Sequence, residues 1–142
     1  MVRKALTAAR RSATAAGVAP RFVEGDVTRL HDLGVGDGYT LLLDFGCFHT
    51  LPEDQRAAYV TSVSRVAVPG ATLLLCGFKR PPKTAPMHAG MTVEEVRQRF
   101  SEDGWRVVRA EPTSADPEMA VARRAAAHFE LSCYHLTRDP TR

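Results

Sequence analysis

Two apolar runs joined by a helical segment constrain the fold of this 142-residue chain more than any other feature. Residues 39–45 are apolar except for Thr40 and Asp44, and residues 71–78 form a second apolar run. Such runs are typical of strands buried on both faces of a parallel sheet. The helical pattern over 52–68 lies between them and ends at a Pro-Gly pair. The sequence therefore predicts a strand–helix–strand unit in an α/β layered domain.

Further elements flank this unit on both sides. The pattern predicts, in chain order, a helix over 2–16, a strand over 21–24, a helix after Thr92, and strands over 105–111 and 128–137. Thr92 and Glu95 have the spacing of a capping box. Only a loop or a short helix over 119–127 separates the last two strands, so we expect the last strand to be antiparallel to the others.

The bulk composition limits the classes of partner. The formal charge is +3, from 19 basic and 16 acidic residues, and the basic residues are dispersed, which gives no indication of nucleic-acid binding. No apolar run approaches the ~20 residues that a membrane span needs. The N-terminus lacks the apolar core of a secretory signal. We therefore expect one cytoplasmic domain over 1–142, without a nucleic-acid or membrane partner.

The cysteines are widely spaced. Cys47, Cys76 and Cys133 never form a Cys-x-x-Cys pair, so the sequence indicates neither a zinc site nor a disulfide framework. Cys76 and Cys133 lie in apolar runs and are expected to pack as small apolar side chains. This expectation agrees with a reducing cytoplasm.

Three stretches together resemble the class I S-adenosylmethionine-dependent methyltransferases. Residues 21–27 look like the third strand of that fold and its acidic end, 41–52 like the fourth strand and its following loop, and 66–75 like the Pro-Gly turn and fifth strand. Ala71 stands where a second glycine is usual. The resemblance implies a Rossmann-like sheet whose antiparallel last strand lies beside the fifth. It also implies S-adenosylmethionine as cofactor and a small-molecule methyl acceptor.

The resemblance begins after the first two strands of the family. Its glycine-rich cofactor turn has no counterpart, since the glycines of 34–38 lie between the expected third and fourth strands. The first predicted helix has no capping residue before it. We therefore expect an N-terminally truncated fold that leaves the 41–45 strand with an open apolar edge. Either the 21–24 strand pairs with that edge, or a homodimer covers it.

The resemblance also implies residues for cofactor binding. Asp26 would accept a hydrogen bond from the adenine amino group, and the Val27 backbone would contact the ring. Asp44, Phe45 and Gly46 would face the methyl-transfer region, with Gly46 allowing close backbone approach. Two structural interpretations stay open: Asp26 as a turn former, and Asp44 as a carboxylate that caps the loop.

His49 is the candidate catalytic residue. It lies between a strand end and a helix start, where it could take a proton from the acceptor as a general base. The alternative is a loop histidine bonded to the backbone. No metal site is expected.

Three functional hypotheses remain. The first is a small-molecule methyltransferase, or a truncated form of one. The second is a non-catalytic remnant of that fold serving as an oligomerisation or interaction domain. A nicotinamide-dependent oxidoreductase fits less well, because it needs the same missing glycine turn and the chain has no Tyr-x-x-x-Lys.

Overall fold

The computed structural model describes residues 2–79, 90–113 and 131–141. Their elements are α1 (Val2–Ala15), a 3-10 helix (Val27–Leu33), β1 (Tyr39–Phe45), a short 3-10 helix (Phe48–Thr50), α2 (Glu53–Val66), β2 (Ala67–Phe78), α3 (Val93–Glu102), β3 (Trp105–Thr113) and β4 (Leu131–Arg138). The predicted capping box is confirmed, since the Thr92 hydroxyl accepts a hydrogen bond from the Glu95 backbone N–H at 3.1 Å. The predicted helix 119–127, His88 and residues 128–130 lie outside the described residues.

The four described strands form one sheet in the order β1-β2-β4-β3. β1 pairs with β2 in parallel, with Leu43 opposite Leu74. β4 is antiparallel to both β2 and β3. The strand–helix–strand unit and the antiparallel last strand beside β2 are therefore confirmed.

The hydrophobic core lies on one face of this sheet. α2, α3 and the loop after β1 pack their apolar side chains against alternate residues of the strands. Burial of these side chains is the main source of stability for the layer. The buried cluster consists of Phe48, Tyr59, Val60, Val63, Ala67, Ala71, Leu73, Leu75, Met91, Val96, Phe100, Trp105, Tyr134 and Leu136.

The opposite face of the sheet is uncovered at β1 within the described part of the chain. Leu41, Leu43 and Phe45 are exposed there, and Leu74 of β2 lies beside Leu43. The prediction that 39–45 is buried on both faces is thus wrong for these residues. The reason is that the sequence run is apolar on both sides, whereas the helices that the structure describes cover only one face of the sheet.

β1 is also the edge of the described sheet, because β2 is its one neighbour there. The predicted strand 21–24 is wrong: these residues form no ladder, and Arg21 instead donates to the Gly34 carbonyl at 2.8 Å. Pairing of 21–24 with 41–45 is wrong for the same reason. An open edge of β1 is confirmed in the described sheet, and the homodimer stays a prediction.

A disulfide joins Cys76 of β2 to Cys133 of β4. The two residues are direct partners across the antiparallel ladder, on the uncovered face. The expectation of unlinked apolar cysteines is therefore wrong, because residues 57 positions apart in sequence are brought opposite one another by strand pairing. Disulfides are rare in a reducing cytosol, so the cysteines no longer support the predicted location.

Candidate active site

The loop after β1 is built around the buried carboxylate of Asp44. One oxygen accepts the backbone N–H of Cys47 at 2.7 Å, and the other accepts the Phe48 N–H at 2.9 Å and the Tyr59 hydroxyl at 2.6 Å. Burial, followed by the neighbouring Asp44 charge, raises the pKa of Tyr59, which keeps its hydroxyl a donor. These bonds support the structural interpretation of Asp44 as the cap of the loop.

Phe45 and Gly46 form the turn that leads from the carboxyl end of β1 into this loop. Gly46 has a φ of +97°, which a glycine adopts without strain. Its N–H donates to the Cys76 carbonyl at 2.9 Å, so the turn is attached to the end of β2 as well. The Phe45 side chain is 67% exposed on the uncovered face. The backbone at Gly46 therefore has no side chain to keep a ligand away.

Cys47 follows in the same loop as a free, partly buried thiol. Burial, assisted by the charge of Asp44, raises its pKa to about 11. The reactive form of a cysteine is the thiolate. Cys47 thus remains a thiol at neutral pH and shapes the loop rather than attacking a substrate.

The ring of His49 occupies a slot formed by glycines. A Cβ on Gly77 would lie 2.4 Å from Nδ1, and a Cβ on Gly46 would lie 3.5 Å from Cε1. The Phe78 ring packs edge-on at 5.0 Å between centroids. His49 is only 5% exposed, and its Nδ1 has no hydrogen-bond partner among the described residues. At position 77 only a residue without a side chain leaves room for this ring orientation, whereas the 3.5 Å approach at position 46 is an ordinary van der Waals contact.

Burial is the main cause that lowers the pKa of His49; the charge of Asp44 opposes it and that of Arg56 adds to it. A lowered pKa favours the neutral imidazole, the form that a general base requires. The His49 carbonyl accepts the Gly90 N–H at 2.9 Å. The backbone bonding expected of a structural loop histidine is therefore present at the carbonyl, whereas the ring is held by packing.

Asp26 and Val27 lie at the start of the first 3-10 helix, which precedes β1 in the chain. Asp26 caps the first 3-10 helix, and its Oδ1 accepts the Thr28 N–H at 2.9 Å and the Thr28 hydroxyl at 2.8 Å. These bonds hold the pKa of the exposed carboxyl below its usual value. Val27 packs against the core, and the Leu30 N–H donates to Ser62 of α2 at 2.9 Å. Among the described residues, the hydrogen bonds of the Asp26 carboxylate go to Thr28 rather than to the loop of residues 44–49.

Three residues of the site were missed by the sequence reasoning: Arg56, Tyr59 and Gly77. Arg56 and Tyr59 precede the buried Val60 and Val63 at helical spacing, so the apolar face of α2 contained a signal for both. A glycine within a strand, as at 77, often marks a close approach of another group.

Two general searches cover only the described residues. Within 2–79, 90–113 and 131–141, no group of three or more histidine, cysteine or carboxylate side chains is arranged to hold a metal ion. Over the same residues, none of the helices has the length and apolar character needed to cross a bilayer.

Comparison with known proteins shows similarity at the level of structure. No protein-family model and no curated protein sequence matches the chain. Among solved structures, one from work on the conversion of a disulfide bond into a thioacetal group during echinomycin biosynthesis superposes with a TM-score of 0.69 at 20% identity, over 96% of this chain and 63% of that one.

Two further structures are similar to the same extent. The 1,6-didemethyltoxoflavin-N1-methyltransferase of Burkholderia thailandensis, solved with 1,6-didemethyltoxoflavin and S-adenosylhomocysteine, has a TM-score of 0.66 at 15% identity, over 92% of this chain and 56% of that one. The [4+2]-cyclase SpnF has a TM-score of 0.67 at 12% identity, over 92% and 61%. This chain thus spans about three fifths of the length of the structures that it resembles.

Proposed function

Because the chain has a class I methyltransferase-like fold, we propose that it functions as an S-adenosylmethionine-dependent methyltransferase that acts on a small molecule. The structures that it resembles include small-molecule methyltransferases, one of them with bound S-adenosylhomocysteine. Fold alone does not establish activity, since the fold is shared with a [4+2]-cyclase. The proposal therefore depends on the residues of the site.

The observation that carries the proposal is the loop of residues 44–49. It lies at the carboxyl end of β1 and is hydrogen-bonded to the end of β2, the edge at which ligands bind in open α/β sheets. Asp44 fixes its shape, and Gly46 presents bare backbone. A rigid, preshaped loop of this kind can hold a reacting group in a fixed orientation.

The residues present fit the cofactor in two respects. Both described hydrogen bonds of Asp26 go to Oδ1, so Oδ2 of this exposed, ionised carboxylate is available to accept from an adenine amino group. Phe45 and Gly46 offer an apolar ring and open backbone at the strand end. Bound S-adenosylmethionine would supply an activated methyl group, which needs little side-chain chemistry. His49 would act as the base for an acceptor hydroxyl or amine.

Calorimetric titration with S-adenosylmethionine and S-adenosylhomocysteine tests the proposal. We expect binding by the wild-type chain and binding roughly 10- to 100-fold weaker in Asp26→Asn, which keeps the Oδ1 bonds and replaces the free acceptor with a donor. Asp37→Asn, in an exposed turn, is the matched control and should bind like the wild type. Absence of heat at millimolar ligand would contradict the proposal for this chain.

The uncovered face favours a second candidate, an interaction domain. Leu43 and Phe45 are exposed at an unpaired edge of the described sheet, and such an edge is a template for strand pairing. Here two copies would associate through β1. Sedimentation velocity over a hundredfold concentration range should then show a dimer that Leu43→Lys dissociates. A monomer mass independent of concentration would eliminate this candidate, while the methyltransferase proposal would stand.

A further inference from the structure

Arg56 of α2 is an almost fully buried cation, 2% exposed, whose guanidinium bonds to four separate groups. Nη1 donates to Glu95 Oε1 at 2.6 Å and Nε donates to the Leu51 carbonyl at 3.1 Å. Nη2 donates to the carbonyls of His49 at 3.2 Å and Gly90 at 3.0 Å. All three nitrogens are therefore used, as a buried guanidinium requires.

The acceptors of Arg56 belong to three parts of the chain. His49 and Leu51 lie in the loop after β1, Gly90 lies before α3, and Glu95 is in the first turn of α3. The Gly90 N–H also donates to the His49 carbonyl, so this one oxygen receives two hydrogen bonds. Arg56 thus links the backbone of His49, by hydrogen bonds, to the segment that precedes α3.

The ion pair with Glu95 uses only Nη1 of Arg56. The carboxylate of Glu95 already accepts Arg99 Nε at 3.1 Å, and the Arg56 guanidinium lies 5.3 Å over the ring of Phe48. The additional bonds of Arg56 all go to backbone carbonyls around His49. This asymmetry indicates that the fork of donors holds the loop as well as neutralising a carboxylate.

We propose that Arg56 is a positioning residue for His49: by holding the His49 carbonyl it keeps the imidazole seated between Gly46, Gly77 and Phe78. Arg56 touches no reacting atom and acts through His49. The catalytic consequence rests on the proposed function, because it matters for methyl transfer only if His49 is the base. The positioning itself is a property of the folded chain and is measurable without cofactor or acceptor.

The charged groups that face the His49 ring make the proposal measurable. Burial is the largest cause and lowers the pKa of His49; the Asp44 charge raises that pKa, and the Arg56 charge lowers it. Removal of the Arg56 charge and loosening of the slot therefore both act in the same direction, toward a higher His49 pKa. A change in fold stability alone would not move that pKa.

The experiment is an NMR pH titration of the histidine Cε1 signals, with the His49 signal assigned by its absence in His49→Gln. In Arg56→Gln we expect an upward shift of the His49 midpoint. In Arg56→Lys we expect a smaller upward shift, because the charge remains but an ammonium cannot reach all four acceptors.

Two controls separate positioning from general damage. Arg99→Gln removes a second cation that is bound to Glu95. Arg99 has no hydrogen bond to the His49 carbonyl among the described contacts, so this variant should leave the His49 midpoint unchanged. Val96→Ala weakens the core at α3 and should lower stability without moving the midpoint. Because the charge is kept in Arg56→Lys, a shift of the midpoint in that variant reports the loss of the backbone hydrogen bonds. An unchanged midpoint in Arg56→Lys, or an equal shift in Val96→Ala, would overturn the proposal.

A measurement on the wild-type chain decides the case if Arg56→Gln does not fold. The Gly90 amide, held to the same carbonyl as Arg56, should be protected from hydrogen exchange. Exchange at the rate of an unprotected loop amide would overturn the proposal. If the His49 midpoint shifts in the variants but the calorimeter detects no cofactor binding, the proposed function is rejected and the positioning role stands. If the cofactor binds but the midpoint does not shift, only the positioning role is rejected.

Discussion

The two faces of the sheet differ although the strand β1 is apolar along nearly its whole length. On the covered face, Leu73 and Leu75 of β2 and Phe100 of α3 are almost completely buried. On the uncovered face, Leu43 is 71% exposed and Phe45 is 67% exposed. The contrast shows that an apolar run in the sequence indicates only that a strand can be buried. How much of the strand is buried depends on the elements that pack against it. In the described residues, the buried core lies on one face of the sheet, and exposed apolar side chains lie on the other.

The sharpest way to break this comparison is a matched pair of phenylalanine substitutions. Phe100→Ala should lower the free energy of unfolding by about 3–5 kcal/mol, because it removes a buried ring and leaves a cavity. Phe45→Ala should change it by less than about 0.5 kcal/mol, as for an exposed position. Urea unfolding of the wild type and both variants measures the difference. Equal losses would mean that Phe45 is covered in solution, by a second copy or by another segment.

The second test concerns Asp44, a buried residue near the end of β1 whose carboxylate lies on the covered face. Asp44→Asn removes the charge of a carboxylate that accepts three hydrogen bonds, and it should lower the free energy of unfolding by roughly 2–3 kcal/mol. Asp37→Asn, in an exposed turn, should have little effect. Unfolding curves for the two variants check this. If Asp44→Asn is as stable as Asp37→Asn, Asp44 does not cap the loop.

The third test uses Gly77, which lies on the covered face of β2. Gly77→Ala places a Cβ against the His49 ring and should destabilise the fold by about 1–3 kcal/mol through overpacking. His49→Ala combined with Gly77→Ala should recover part of that loss, because the obstructing ring is removed. A double-mutant cycle in urea measures the coupling. Additive losses would contradict the slot.

The smallest expected effect is the pH dependence from His49. Its folded pKa lies below the ordinary value of 6.5, so the unfolded chain takes up a proton first as the pH falls. The contribution of neutral His49 is complete above pH 6.5 and decreases as the pH falls through the lower, folded pKa. His49→Gln should flatten the stability curve in this window. An identical slope of stability against pH in wild type and variant would mean that His49 has the same pKa in the folded and unfolded chain, which contradicts a buried ring.

The sequence predicts the elements that rest on local patterns and strand order. The runs at 39–45 and 71–78, the Thr92–Glu95 capping box and the antiparallel last strand are all present. The short 21–24 segment fails because strand-like composition over four residues does not specify a pairing partner: the outer edge of β1 is free in the described sheet, yet these residues form no ladder with it. Local composition does not contain that information.

The candidate site is predictable in position but not in roles. The position of the loop of residues 44–49 is predicted by the end of the apolar run 39–45, and His49 lies in that loop. The function of Asp44 depends on Tyr59, 15 positions away, and that of Arg56 depends on Gly90 and Glu95, 34 and 39 positions away. Such partners become known only when the helices are packed on the sheet.

The bond between Cys76 and Cys133 has a consequence for the covalent connectivity of the molecule. It closes a ring of chain that contains the whole of α3 and β3. A single proteolytic cut anywhere inside that ring leaves one covalently connected molecule, and its two pieces separate on a denaturing gel only after reduction. Limited digestion with and without a reducing agent would therefore show the link directly, and would show whether a nicked form keeps its three-dimensional structure.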